Sequence, residues 1–260
     1  MNKQALKFTL AAAFAFLPVA QALYAAQSTI PPVADMTADK KIVVIIDPGH
    51  GGGDWGVTLK GIHEKEITLD IAKHIKEKIE KTGGNIAVFL TRTGDEFVKP
   101  EDRAGFANGN KGNLFISIHC DYAPSEAAGG YRVFYEDGVQ AAGAAADQGL
   151  IKWDEAQKYH IDGSRKLAAY ILQYLGAALM PENQRSDEND LLPLQSRKDL
   201  AIRSSILQSI DMPAIVLETG NLYNNNDLTN LKDSRIVNQL AYHIKEGIIN
   251  YVKETGGGRQ

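Results

Sequence analysis

Two hydrophobic rhythms alternate along this chain. Ile42-Val43-Val44-Ile45-Ile46 is an unbroken β-branched run, the pattern of a strand covered on both faces. A glycine-rich stretch follows from Gly49 to Gly61. Ile67, Ile71, Ile75 and Ile79 then recur every four residues among Lys and Glu, the stripe of an amphipathic helix, and Gly83-Gly84 stops it. Asn85–Leu90 reads as a second strand, Lys99–Asn108 as a short helix and Leu114–His119 as a third strand. Tyr131–Tyr135 alternates as a strand near a sheet edge does. Leu167, Ile171, Leu175 and Leu179 mark a helix from about Ser164 to Met180. Pro213–Glu218 is a further strand, and Ile236, Leu240, Ile244 and Ile248 mark a closing helix that stops before Gly256-Gly257-Gly258. Gly138–Gly149, rich in Ala and Gly, reads as a surface excursion, and Pro181–Asp190 as a loop. Strands interleaved with helices predict an α/β fold: a single-domain, three-layer αβα sandwich around a mostly parallel twisted sheet.

The first residues obey a different logic. Lys3 and Lys7 precede the apolar run Phe8–Val19, and Ala20-Gln21-Ala22 places small residues where a signal peptidase reads. Residues 1–22 are therefore expected to be a signal peptide, with Ala26 as the alternative cleavage point. The run is shorter than the about 20 residues that span a bilayer. No Cys lies near the cleavage region, which argues against a lipoprotein anchor. Residues 27–40 read as a linker and 41–254 as the folded domain. A net charge of −4 gives no footprint for nucleic acid. Cys120 is the one cysteine, so no intrachain disulfide can form. It follows His119 directly, and neighbours in a strand point to opposite faces. Cys120 is thus expected to pack in the core while His119 faces a site.

Three of the expected strands run into residues that bind or use metals. The first leads through Asp47-Pro48-Gly49 to His50, the third ends at His119, and the Pro213 strand ends at Glu218. In open α/β sheets, ligands gather at the carboxyl ends of the strands. Two imidazoles and a carboxylate with one position left for water make a hydrolytic zinc site. His50 and His119 are the first two candidate ligands. For the third, spacing ranks Glu64 modestly ahead of Glu66 and His63. The glycine loop lacks the Gly-Lys-Ser/Thr of a P-loop, and no Gly-x-Ser-x-Gly elbow exists for a serine esterase. His74 and His243 have no convergent partners and read as packing or surface residues.

Four segments resemble the motifs of one family. Ile45-Ile46-Asp47-Pro48-Gly49-His50-Gly51-Gly52, His63-Glu64-Lys65-Glu66-Ile67-Thr68-Leu69, Phe115–His119 and Pro213–Asn221 are similar, in that order, to the motifs of zinc-dependent N-acetylmuramoyl-L-alanine amidases of the amidase 3 type. Leu90-Thr91-Arg92-Thr93, Arg103 and Asn108 fit the pattern between the second and third motifs, and the resemblance runs from Lys41 to about Val252. It implies one Zn²⁺ held by His50, Glu64 and His119. It also implies hydrolysis of the amide between N-acetylmuramic acid and L-alanine in peptidoglycan, with Glu218 as general base and then general acid.

The chain departs from the pattern at Asn221, where an aromatic is usual, at Gln208, where Arg is frequent, and at Cys120-Asp121, where Ala-Asn is usual. These positions bear on substrate contacts rather than on the metal. Candidate substrate contacts are Asn221, His160 beside the 138–163 excursion, and Arg103. The alternative for Arg103 is a salt bridge to Asp47 or Asp102. Some larger relatives plug the site with a helix. Here the segment bearing Trp153–Gln157 is expected to form a groove wall instead. The expected partners are peptidoglycan and, left open, a protein activator. The mature chain is expected to be a monomer with no membrane span, located in the periplasm, with full secretion as the alternative.

Overall fold

A computed structural model describes residues 41–120, 123–136, 153–176, 191–193 and 206–257. The expected signal peptide, the linker, the 138–149 excursion and the 181–190 loop lie outside the described residues. The described elements run β1 (Ile42–Pro48), β2 (Thr58–Leu59), β3 (Ile62–His63), α1 (Glu64–Thr82), β4 (Ile86–Leu90), α2 (Pro100–Gly109), β5 (Leu114–His119), β6 (Arg132–Tyr135), α3 (Trp153–Gly176), β7 (Leu191–Pro193), β8 (Ala214–Glu218), α4 (Asn225–Lys232) and α5 (Ser234–Thr255).

Six strands form one sheet in the order β4-β1-β5-β8-β6-β7. The pairs β1–β4, β1–β5, β5–β8 and β6–β7 are parallel, and β6 runs antiparallel to β8. Alternation along each central strand divides the core in two. Val44, Ile46, Leu114, Ile116, Ile118, Ile215 and Leu217 face a thick layer built by α1, α3 and α5. Ile45, Phe115, Ala214 and Val216 face a thinner layer made by α2 and the 206–212 segment. The result is a single-domain αβα sandwich with a mostly parallel sheet. The isoleucine stripe of α1 is fully or almost fully buried, each side chain contributing about 1.5–3 kcal/mol before entropy is counted. Cys120 belongs to the thick-layer core, on the face opposite to His119.

Tyr131–Tyr135 was expected near the edge, and β6 lies one strand in, because β7 adds a parallel strand outside it. The structure departs from the pattern-based reading in three places. The glycine loop contains a hairpin, β2–β3; Lys60 and Gly61 both take positive φ (52° and 76°), the backbone that a tight hairpin turn needs. Helix α3 begins at Trp153 rather than at Ser164. Gly163 does not stop it: a methyl group there would lie 2.7 Å from Pro213 Cγ, so this glycine permits close packing of helix on strand. Helix α4 was not anticipated; it opens on the asparagine run Asn224-Asn225-Asn226, which has low helix propensity. Asn224 in fact caps it, accepting from the amides of Asn226 and Asp227.

Candidate metal centre

β1, β5 and β8 are adjacent and parallel, so their carboxyl ends lie side by side. The register pairs His119 with Glu218, which puts both side chains on the same face of neighbouring strands. The Thr219 amide and hydroxyl both donate to the His119 carbonyl (2.8 and 3.0 Å), fixing the two strand ends together. Glu218 is completely buried.

His50 stands just past β1 in a left-handed conformation (φ 60°), an uncommon backbone for a residue with a Cβ and one that tends to mark functional sites. Two buried guanidinium groups hold the turn. Arg92 donates to the carbonyls of Pro48 (3.0 Å) and Gly49 (2.8 Å). Arg103 donates to Pro48 O (2.8 Å) and His50 O (2.8 Å). Asp47 supplies the balancing charge, 2.6 Å from Arg103 Nη1, and also accepts from the Thr91 and Ser117 hydroxyls. Burial pushes the Asp47 carboxyl up, but Arg103 and these donors outweigh it and leave the pKa below its ordinary value.

Glu64 opens α1 and is wholly buried between the two histidines. Its Oε1 lies 3.0 Å from His119 Nδ1 and its Oε2 lies 3.1 Å from His50 Nε2. The amides of Cys120 and Val57 each donate to one oxygen (3.0 Å). Burial would raise the Glu64 pKa, yet His119 and His50 hold it well below the carboxylate range. Burial would lower that of His50, and the carboxylates of Glu64 and Asp54 raise it instead. Asp54 Oδ2 sits 2.9 Å from His50 Nδ1. A carboxylate on the far nitrogen fixes the ring and its tautomer, as it does for many metal-ligating histidines.

The donor set fits a metal ion. One ligand atom from each of His50, Glu64 and His119 falls within 4.8 Å of the others. Ligands bound tetrahedrally at about 2.0 Å stand roughly 3.3 Å apart, a spacing that fits within the 4.8 Å bounding this set. His50 Nε2 is buried and makes no hydrogen bond. Glu64 Oε2 is near enough but misaligned, so the contact is one of charge rather than a formed bond. A buried nitrogen left in that state beside an ionised carboxylate suits a cation. The backbone leaves room for little else: a methyl group at Gly49 would sit 2.3 Å from the His119 ring, and one at Gly56 2.6 Å from Glu64 Oε2.

Other candidates lie elsewhere. Glu66 is exposed, and His63 bonds Thr58 and leans on Trp55 (ring centroids 4.3 Å). Three expected substrate contacts have other partners in this structure. Arg103 is 4% exposed and its donors go to Asp47, Pro48, His50 and Val98, so it braces the His50 turn and offers no head group to a substrate. The salt bridge to Asp47 is the alternative that holds, and it is buried. Asn221 is fully buried; its amide donates to Ser125 O and Ala128 O and its Oδ1 accepts from the Tyr223 amide, so it ties loops together. His160 belongs to the opposite end of the sheet. Its neighbour Ser164 accepts from the amide of Ala214, the first residue of β8, about 13 Å along the strand from Glu218. His160 instead meets Asp211 (3.3 Å). Asp54 and the bracing role of Arg92 were not foreseen. For Asp54 the available signal was a carboxylate four residues after His50 in the same loop.

Fold and site together define a class: an α/β domain with a candidate metal centre at the carboxyl edge of a parallel sheet and a buried carboxylate next to it. Residues 44–250 match the family described as N-acetylmuramoyl-L-alanine amidase, Amidase_3, and the chain belongs to that family. It is 28% identical over 250 residues to N-acetylmuramoyl-L-alanine amidase AmiC of Neisseria meningitidis, covering 87% of this chain and 56% of that protein. It is 29% identical over 231 residues to AmiA of Escherichia coli, covering 85% and 79%. The solved N-acetylmuramoyl-L-alanine amidase from Clostridium difficile 630 is 26% identical and superposes with a TM-score of 0.64, covering 84% of this chain and all of that one. The chain spans about half the length of some curated relatives it matches. No helix among the described residues is long and apolar enough to cross a membrane.

Proposed function

We propose that this chain is a zinc-dependent amidase that hydrolyses the bond between N-acetylmuramic acid and L-alanine in peptidoglycan. The observation that carries the reading is the meeting of His50, Glu64 and His119, beside Glu218 in register with His119, within a chain of the amidase family. Two nitrogens and one oxygen are a donor set that suits zinc with an open position. When bound, zinc supplies a Lewis acid that makes water acidic near neutral pH and polarises a carbonyl.

The chain's own residues do the rest. Asp54 holds the His50 ring in one tautomer. Arg92 and Arg103 keep the turn before it from relaxing. Glu218 takes a proton from the attacking water and passes it to the departing amine of L-alanine, one carboxylate acting as base and then acid. Glu218 is buried and ends the strand in register with the one that carries His119. Residues 1–22 direct the chain to the periplasm in this reading, and the mature enzyme is a monomer.

The test is hydrolysis of dye-labelled sacculi, with identification of muropeptide products. The parent should release stem peptides that begin with L-alanine. Glu218→Gln should retain metal and lose activity. Equal solubilisation by parent and variant would remove Glu218 from the chemistry. Running the assay on the purified chain alone, and again with periplasmic extract, separates stand-alone action from dependence on a protein activator.

A further inference from the structure

Trp55 lies between two residues of the metal centre. Before it, Asp54 orients His50. After it, Gly56 packs so tightly on Glu64 and His50 that a methyl group there would lie 2.6 Å and 2.7 Å from them. The Trp55 carbonyl accepts from the Lys65 amide at the start of α1 (3.3 Å). The backbone that carries this indole is therefore pinned to the site. The indole itself is 48% exposed.

Exposure of an indole forfeits hydrophobic stabilisation, and this one is braced rather than loose. Lys65 Nζ sits 4.3 Å from the ring centroid. Lys65 is itself almost buried, anchored on Gly52 O (2.8 Å) and Asp95 (2.8 Å). His63 meets the ring edge to face and is held by Thr58 (3.0 Å). The ring thus has a fixed orientation, with one face engaged by a neighbouring cation. Beyond these two neighbours lie oxygen groups, Asp95 on Lys65 with a 60% exposed side chain and the exposed Thr58 on His63.

A rigid, half-exposed aromatic plate with polar side chains around it matches a pyranose ring. The sugar's C–H face packs on the indole while its hydroxyls and acetamido group turn to the polar surroundings. A peptide stem presents no such flat C–H face, and the charge of Lys65 is already engaged. We propose that Trp55 is a saccharide-binding platform that seats a sugar of the glycan strand next to the metal centre. The polymer's identity rests on the amidase reading. The platform sets which glycan reaches the ligands and in what orientation, and it is a binding residue, not a participant in the bond-breaking step.

The test is calorimetric titration of the metal-loaded protein with a peptide-free oligosaccharide of alternating N-acetylglucosamine and N-acetylmuramic acid. This probe has no scissile amide, so binding is read independently of hydrolysis. The parent should bind, Trp55→Ala should weaken binding about tenfold or more, and Trp55→Phe should fall between them. Metal content and melting temperature of both variants should match the parent's. Equal affinity in the parent and Trp55→Ala would overturn the proposal. So would failure of the parent to bind this glycan, or binding of the isolated stem peptide that depends on Trp55. Release of L-alanine-terminated peptides from whole muropeptides is scored separately. If the glycan binds through Trp55 but no peptide is released, the amidase reading fails and the platform stands. If peptide is released and the glycan ignores Trp55, the reverse holds.

Discussion

Arg103→Leu removes the cation that neutralises Asp47 beneath the candidate metal centre. Asp47 is completely buried and Arg103 almost so, and they meet at 2.6 Å. Without Arg103 the carboxylate keeps two hydroxyl donors, Thr91 and Ser117, but no opposite charge in contact. Breaking a buried pair from one side costs about 3–5 kcal/mol, because the remaining ion stays desolvated. The same substitution leaves the carbonyls of His50 and Val98 without their guanidinium donor. For a domain of this size the loss corresponds to a melting temperature lower by roughly 6–20 °C. Differential scanning calorimetry of parent, Arg103→Leu, Asp47→Asn and the double variant completes the cycle. The double variant should be less destabilised than the sum of the singles, since removing both charges removes the desolvated ion. A single Arg103→Leu within about 1 kcal/mol of the parent, with additive behaviour in the double, would refute the buried-pair reasoning.

Four further outcomes are expected. The folded Asp47 pKa lies below its ordinary value, so its stabilising contribution is complete above the unfolded carboxylate value of about 3.9 and is lost as pH falls below it; acid titration of the melting temperature should therefore show a drop below about pH 4 that Asp47→Asn lessens. Glu218→Gln should lower turnover on muropeptides by about 10²–10⁴-fold with metal retained, and a loss of metal in parallel would assign it a different role. Asp54→Ala should weaken metal affinity about 10–100-fold in a chelator competition; an unchanged affinity would show that the His50 ring needs no such partner. Gly49→Ala forces a methyl group to within 2.3 Å of the His119 ring and should reduce bound metal, which elemental analysis of the purified variant would detect.

The sequence made much of this fold legible because its signals were local and strong. The β-branched run of β1 and the four-residue spacing of isoleucines in α1 can each be satisfied in one way, and the convergence of His50, His119 and Glu218 follows from strands that end together. The choice of Glu64 over Glu66 and His63 did not come from spacing. It came from family resemblance, and the structure shows the physical reason: only Glu64 faces inward, while Glu66 lies in solvent and His63 turns to Thr58 and Trp55. What the sequence left illegible concerns tertiary placement. His160 is close in chain to an excursion expected beside the site, yet its helix packs at the amino end of β8, and chain proximity carries no information about which sheet edge a helix reaches. Arg103 and Asn221 are polar residues in motif-like surroundings, and polarity alone does not distinguish a group that meets a ligand from one consumed by backbone carbonyls. Helix α4 escaped notice because its cap and first turn are a run of asparagines, which loops also favour.

Zinc stoichiometry of the purified protein and of the single variants His50→Ala, Glu64→Ala and His119→Ala tests the central claim most directly. The account predicts one zinc per chain in the parent and, for each variant that remains folded by circular dichroism, less than about a tenth of that together with loss of peptide release from muropeptides. A parent that cleaves muropeptides without bound metal, or variants that keep a full complement of zinc, would contradict it.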